Sequence, residues 1–136
     1  MSRNLRIKLI GAHLAHSYSP EIHAALADYD YSLLELTENE LGAFLKSGDF
    51  DGLNVTIPYK QAVIPFLDAL SPIAAKIGAV NTITRDQNGR LIGHNTDYEG
   101  FSAMLAVNDI CPKGKKVLIL GSGGASRAPP GPSRAQ

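Results

Sequence analysis

A chain of 136 residues has room for one ordinary domain and the start of a second, and 44% hydrophobic with 19% charged residues is the profile of a soluble globular protein. Acidic and basic side chains balance at 13 each, so no basic field gathers phosphates and a nucleic-acid partner is not expected. No stretch approaches the roughly 18 apolar residues of a membrane span, and the single Cys111 can form no internal disulfide, which agrees with a cytoplasmic location. Without a Cys/His cluster, no metal site is expected either.

The start of the chain lacks the long apolar core of a signal peptide and is expected to lead into a strand at Arg6–Gly11. Ser19 and Pro20 then make a helix start, with serine as N-cap and proline at the first helical position. Ile22, Ala25, Leu26 and Tyr29 follow at helical spacing as one apolar face. Tyr31–Leu36 reads as a second strand. Thr37 and Glu40 form a capping box, with Leu36 and Leu41 placed as its hydrophobic staple, and Gly48 ends the helix. Leu53–Ile57 reads as a short buried strand. Ser71 and Pro72 open a short helix that stops at Gly78. Ala79–Thr84 and Arg90–Ile92 flank Asn88-Gly89, the signal of a hairpin. Thr96–Glu99 reads as a second capping box, opening a helix with Tyr98, Phe101 and Leu105 on one side. Cys111–Lys116 is a connection, and Val117–Leu120 is an apolar strand that runs into glycines.

Alternating strands and helices predict an α/β fold, a mixed, mostly parallel sheet flanked by helices. Polar residues cluster at Asn54 and Thr56 to Lys60, at Asn81 and Thr82, and at His94 to Asp97. Ligands of open α/β sheets bind beyond the carboxyl ends of strands, and hydroxyls, amides, one ammonium and one carboxylate would suit a small polyhydroxylated acid. Lys60 and Asp97 are candidates for a reacting pair: a carboxylate keeps the amine charged and desolvation loosens its proton, so it can exchange one with a substrate hydroxyl. Alone, Lys60 reads as a surface lysine and Asp97 as a helix-start residue; together, among other polar strand ends, they favour chemistry. His13, His16, His23 and His94 match no metal spacing and are assigned no catalytic role. Gly121, Ser122, Gly123, Gly124 and Ala125 follow an apolar run, a context in which backbone approaches a pyrophosphate, although Ser126 stands in the place of the third glycine of GxGxxG.

Five segments in order resemble the shikimate/quinate dehydrogenase family: His16–Pro20, Asn54–Lys60, Gly78–Thr82, Gly93–Asp97 and Gly121–Ala125. The resemblance implies NADP-linked, reversible reduction of 3-dehydroshikimate to shikimate, a step of aromatic amino-acid biosynthesis. It implies that Ser17 and Ser19 hold the substrate carboxylate and that Thr56, Lys60, Asn81 and Asp97 bind the ring hydroxyls. Lys60 would give and take the proton with Asp97 as its partner, and Gly121 to Ala125 would approach the NADP diphosphate. Tyr18, between the two serines, leaves the choice between shikimate and quinate open.

The resemblance calls for a helix after Arg127, but Pro129, Pro130 and Pro132 each cost about 3 kcal/mol or more inside one. The expected division is therefore a substrate-binding domain at 1–110, a linker and the start of a truncated NADP-binding domain at 111–127, and a disordered, aberrant tail at 128–136. Such a chain is expected to have little or no dehydrogenase activity alone, with a non-catalytic shikimate-binding fragment or a quinate/shikimate dehydrogenase as the alternatives.

Overall fold

The computed structural model describes residues 4–121 together with Gly123 and Ser126. The chain runs β1 (Arg6–Gly11), α1 (Ser19–Leu26), β2 (Asp30–Glu35), α2 (Glu38–Ser47), β3 (Gly52–Val55) and α3 (Tyr59–Ala62). After a 3-10 turn at Ile64–Phe66 come β4 (Ala69–Leu70), α4 (Pro72–Ile77), β5 (Thr82–Arg85), β6 (Leu91–His94) and α5 (Asp97–Val107). One six-stranded sheet has the order β2-β1-β3-β5-β6-β4. β1 pairs in parallel with β2 and β3, and β4 with β6, while β5 is antiparallel to both of its neighbours. The sheet is thus mixed and mostly parallel, as the alternation of elements predicts, with the Asn88-Gly89 hairpin supplying the one reversed strand.

Alternation on β1 and β3 sorts the two faces. Ile10 lies opposite Val55 and both enter the core; Leu9 lies opposite Asn54 on the other face. The core joins Ile10, Leu53, Val55, Ile83 and Leu91 of the sheet to Leu41 and Leu45 of α2, with Phe50, Val63, Ala74 and Val80 filling in. Each such apolar side chain contributes about 1.5–3 kcal/mol by leaving water. At the front of α2 the Glu40 carboxylate accepts from the amide of Thr37 at 2.8 Å and its hydroxyl at 2.6 Å, and Leu36 packs against the core that holds Leu41. Gly48 and Gly78 end α2 and α4 with φ of 70° each, the left-handed conformation glycine adopts without strain. Ser71 caps α4 by accepting from the amide of Ala74 at 3.2 Å.

Five expectations are corrected. Ser19 is the first residue of α1 rather than its cap; Tyr18 occupies that place with no side-chain cap bond. The expected inner face of α1 is exposed, Ile22 at 56% and Leu26 at 74%, because the helix lies over polar strand-face residues and turns His23 inward instead. The box at Thr96–Glu99 does not form: the Thr96 amide donates to Asn81 Oδ1 at 3.0 Å and the Thr96 hydroxyl oxygen accepts from Asn81 Nδ2, while the Asn95 side chain, one residue earlier, accepts the Tyr98 amide at 3.2 Å. Val117–Leu120 lie in no strand: none of the six strands offers them a ladder, and Leu118 and Leu120 are 83% and 87% exposed. The strand expected at Leu53–Ile57 also closes early, at Val55, where the chain turns toward α3. The expected tail, 128–136, lies outside the described residues. Among the described residues no helix is long and apolar enough to cross a membrane.

Candidate functional site

The polar rim is assembled by the sheet. β1, β3 and β6 all bring their carboxyl ends to it. Asn81 does not end a strand, as its sequence position suggests, but precedes β5. Because β5 is reversed, its amino end arrives at the same rim. The ladder continues past the assigned strands to hold it there: the Val55 amide donates to the Asn81 carbonyl at 2.8 Å, and the Asn81 amide to the His94 carbonyl at 3.0 Å.

Lys60 is placed by α3, whose backbone is tied to the segment leading into β5 by the Val80 amide donating to the Lys60 carbonyl at 2.7 Å. Asp97 is placed by the first turn of α5. That turn is fixed by Asn95, which is only 4% exposed, donates from Nδ2 to the Ala79 carbonyl at 3.0 Å and accepts the Tyr98 amide on Oδ1. Lys60 Nζ then donates to Asp97 Oδ2 at 2.6 Å, across 37 positions of sequence. The ammonium side chain is 14% exposed and the carboxylate 34%, so the pair is half sunk, with one edge open to a ligand. Asn81 Nδ2 donates to Asp97 Oδ1 at 3.0 Å and to Thr96 Oγ1 at 2.8 Å, while its Oδ1 accepts from the Thr96 amide and the Thr82 hydroxyl. Both carboxylate oxygens therefore have donors, and the Asn81 amide is oriented from both ends.

These groups line a cleft of about 580 Å³. Ser17, Ser19, Thr56, Lys60, Asn81 and Asp97, the six residues expected to meet a substrate, all border it. Ser17 and Ser19 border the same cleft at the start of α1, where Ser17 Oγ accepts from the Ser19 amide at 3.2 Å. A cleft lined by hydroxyls, an ammonium-carboxylate pair and an amide can hold a small anion and exchange a proton with one of its oxygens. Four further polar residues, given no substrate-binding role from sequence, border the cleft. Asn54 lines the cleft, and its alternation with the core residues Leu53 and Val55 is the signal that places it on this face. His13 and His16 also border the cleft, as does His23; no local pattern marks them. His94 does not; it is bonded to the Thr84 hydroxyl at 2.9 Å.

Of the glycine segment expected at a nucleotide, Gly121 and Gly123 are described, and Ser122, Gly124 and Ala125 lie outside the described residues. Gly121 has φ of 114°, and among the described residues nothing lies within 4 Å of a Cβ placed at Gly121 or Gly123.

The family model of the shikimate dehydrogenase substrate binding domain matches residues 9–83. That span includes Lys60 and Asn81 and stops short of Asp97. The NADP(+)-type shikimate dehydrogenase of Carboxydothermus hydrogenoformans is 49% identical over 128 residues, 88% of this chain and 45% of that protein. A crystal structure of shikimate dehydrogenase 1 from Peptoclostridium difficile superposes with a TM-score of 0.86 at 38% identity, covering 93% of this chain and 50% of that one. The Thermus thermophilus enzyme in complex with NADP(H) and shikimate gives 0.81 at 40% identity, over 91% of this chain and 49% of that one. The chain spans about half the length of the curated relatives it matches. It belongs to the shikimate dehydrogenase family, and the part of that family it carries is the substrate binding domain.

Proposed function

We propose that this chain is the substrate-holding part of an NADP-dependent shikimate dehydrogenase, which interconverts 3-dehydroshikimate and shikimate in aromatic amino-acid biosynthesis. The observation that carries the reading is the 2.6 Å contact between Lys60 and Asp97 in a cleft that Ser17, Ser19 and Thr56 also line. Ser17 and Ser19 hold the substrate carboxylate through their hydroxyls. Thr56, Asn81 and Asp97 bind ring hydroxyls, and Lys60 faces the oxygen that changes between ketone and alcohol. When bound, the nicotinamide nucleotide supplies the hydride. As the carbonyl carbon gains that hydride, Lys60 gives a proton to the oxygen; in the reverse direction it takes the proton back. Asp97 keeps the ammonium aimed at that oxygen through its second carboxylate contact, to Asn81.

The open backbone at Gly121 and Gly123 supports a place for the NADP diphosphate beyond α5. A domain boundary near residue 110 belongs to the same proposal, since every strand of the sheet precedes it and α5 ends at Val107. A cytoplasmic location is part of the same proposal, and the single Cys111, a free and exposed thiol, agrees with it.

Titration of the 136-residue chain with shikimate, followed by amide NMR shifts, tests the reading. Shifts should converge on Ser17, Ser19, Thr56, Lys60, Asn81 and Asp97, and Lys60→Met and Asp97→Asn should each weaken binding about tenfold or more, the scale of a charge-assisted hydrogen bond. Saturable binding that leaves those residues unshifted would overturn it.

A further inference from the structure

Beside the cleft lies a group of side chains that proton transfer does not use. Tyr31 stands on β2, opposite Ile7 of β1, and its hydroxyl donates to Asn54 Oδ1 at 2.9 Å. His23, from α1, stacks flat on the Tyr31 ring, with centroids 3.9 Å and planes 15° apart, and its Nδ1 is bonded to the Tyr29 hydroxyl. Ser19, Asn54 and His23 border the cleft while Tyr31 does not, so Tyr31 reaches it only through its partners.

A phenol has one proton to give, and here it goes to Asn54. With Oδ1 occupied by the phenol, Asn54 keeps both N–H donors for the cleft it lines. His23 and Tyr29 fix the ring from the other side, so that the phenol oxygen itself does not drift.

We propose that Tyr31, backed by His23, is a positioning residue for the substrate: it holds Asn54 on the cleft wall with both N–H donors turned to a ligand, and so sets affinity without touching that ligand. The inference rests on the reading of this cleft as the substrate site. It predicts a dependence that a merely structural tyrosine would not have, a loss of affinity that disappears once Asn54 itself is altered.

The test uses the 136-residue chain and Tyr31→Phe, which keeps the ring on His23 and removes only the hydroxyl. Without ligand, the Asn54 side-chain amide NMR signals should shift and broaden in the variant; unchanged signals would overturn the proposal. With ligand, affinity for shikimate should fall about five- to tenfold, the scale of one lost hydrogen bond. Adding Tyr31→Phe to Asn54→Ala should cost no more than Asn54→Ala alone. An unchanged affinity for the single variant, or additive losses in the double variant, would overturn it. If the unaltered chain does not bind shikimate, the substrate reading falls, while the ligand-free Asn54 signals still decide whether Tyr31 positions that amide.

Discussion

Replacing Asn95 by alanine should destabilise the fold more than any other polar substitution at the rim. The side chain is 4% exposed and makes two bonds, to the Ala79 carbonyl at 3.0 Å and from the Tyr98 amide at 3.2 Å. Each net bond is worth about 0.5–1.5 kcal/mol, and the carbonyl of fully buried Ala79 would in addition lose a partner in a place water does not easily reach. Losing a helix cap costs about 0.5–2 kcal/mol, a term that overlaps the Tyr98 bond. Together these give about 2–4 kcal/mol. In urea, with a slope of about 1–3 kcal/mol per molar, the unfolding midpoint should fall by about 1–2 M with an unchanged slope. Asn95→Asp should fall between, since it still accepts from Tyr98 and adds charge at a helix N-terminus, worth about 0.3–1 kcal/mol, but cannot donate to Ala79. Glu99→Ala should stay within about 0.5 kcal/mol, because Glu99 is exposed and the box with Thr96 is not made. Asn95→Ala within that same margin, or Glu99→Ala costing more than Asn95→Ala, would refute the assignment of the cap.

Gly93→Ala should cost about 1–3 kcal/mol of stability in the same urea assay, because its Cβ would fall 2.6 Å from Leu67 Cδ1 and 2.8 Å from both Leu70 and Val80; an unchanged midpoint would mean that the β4–β6 layer has slack. At acid pH, the Thr37 hydroxyl and then its amide hold the Glu40 carboxyl below its ordinary value. The folded value is below the unfolded one, so this stabilisation is present above the unfolded value and lost as pH falls through the folded one. Glu40→Gln should flatten the acid limb of a stability profile. At alkaline pH the sign reverses: burial pushes the Tyr31 phenol up, against an opposing bond from Ser19, with Tyr29 adding slightly. Its contribution is complete below the ordinary phenol value and lost as pH rises from there through the folded value, so Tyr31→Phe should remove that alkaline loss in chemical-denaturation measurements.

What the sequence shows well is local. Thr37 with Glu40, Ser71 with Pro72, and the glycines at 48 and 78 act through bonds within a few residues, so the bounds of α2 and α4 can be read without knowing what they pack on. Cap identity at α5 is different. Thr96–Glu99 fits the capping pattern, but Asn95 wins because Ala79 waits for it across 16 residues of sequence, and no local pattern contains that partner. The face of α1 is misleading for a similar reason. Ile22, Ala25 and Leu26 have helical spacing, yet what lies under the helix is Tyr31, which selects His23 as the residue turned inward. Val117–Leu120 shows the limit of composition: apolar residues favour a strand only where a neighbour supplies the ladder.

The site depends on one topological fact, the reversal of β5. In a purely parallel sheet the stretch after α4 would enter its strand at the rim away from the ends of β1 and β3, and Asn81 would be carried there with it. Running antiparallel, β5 starts where β3 stops, so the Asn81 carbonyl takes the Val55 amide and its side chain meets Thr96 and Asp97. The hairpin then sends β6 back to the same rim, delivering His94 to Asp97 one strand over. Lys60 and Asp97 need no sequence proximity because each is anchored beside the Ala79–Asn81 segment, Lys60 through Val80 and Asp97 through Asn81 and, by way of Asn95, Ala79. That segment is therefore the common support of the proton-transfer pair, and the Asn88-Gly89 turn, distant from the cleft, is the local signal that makes the arrangement possible.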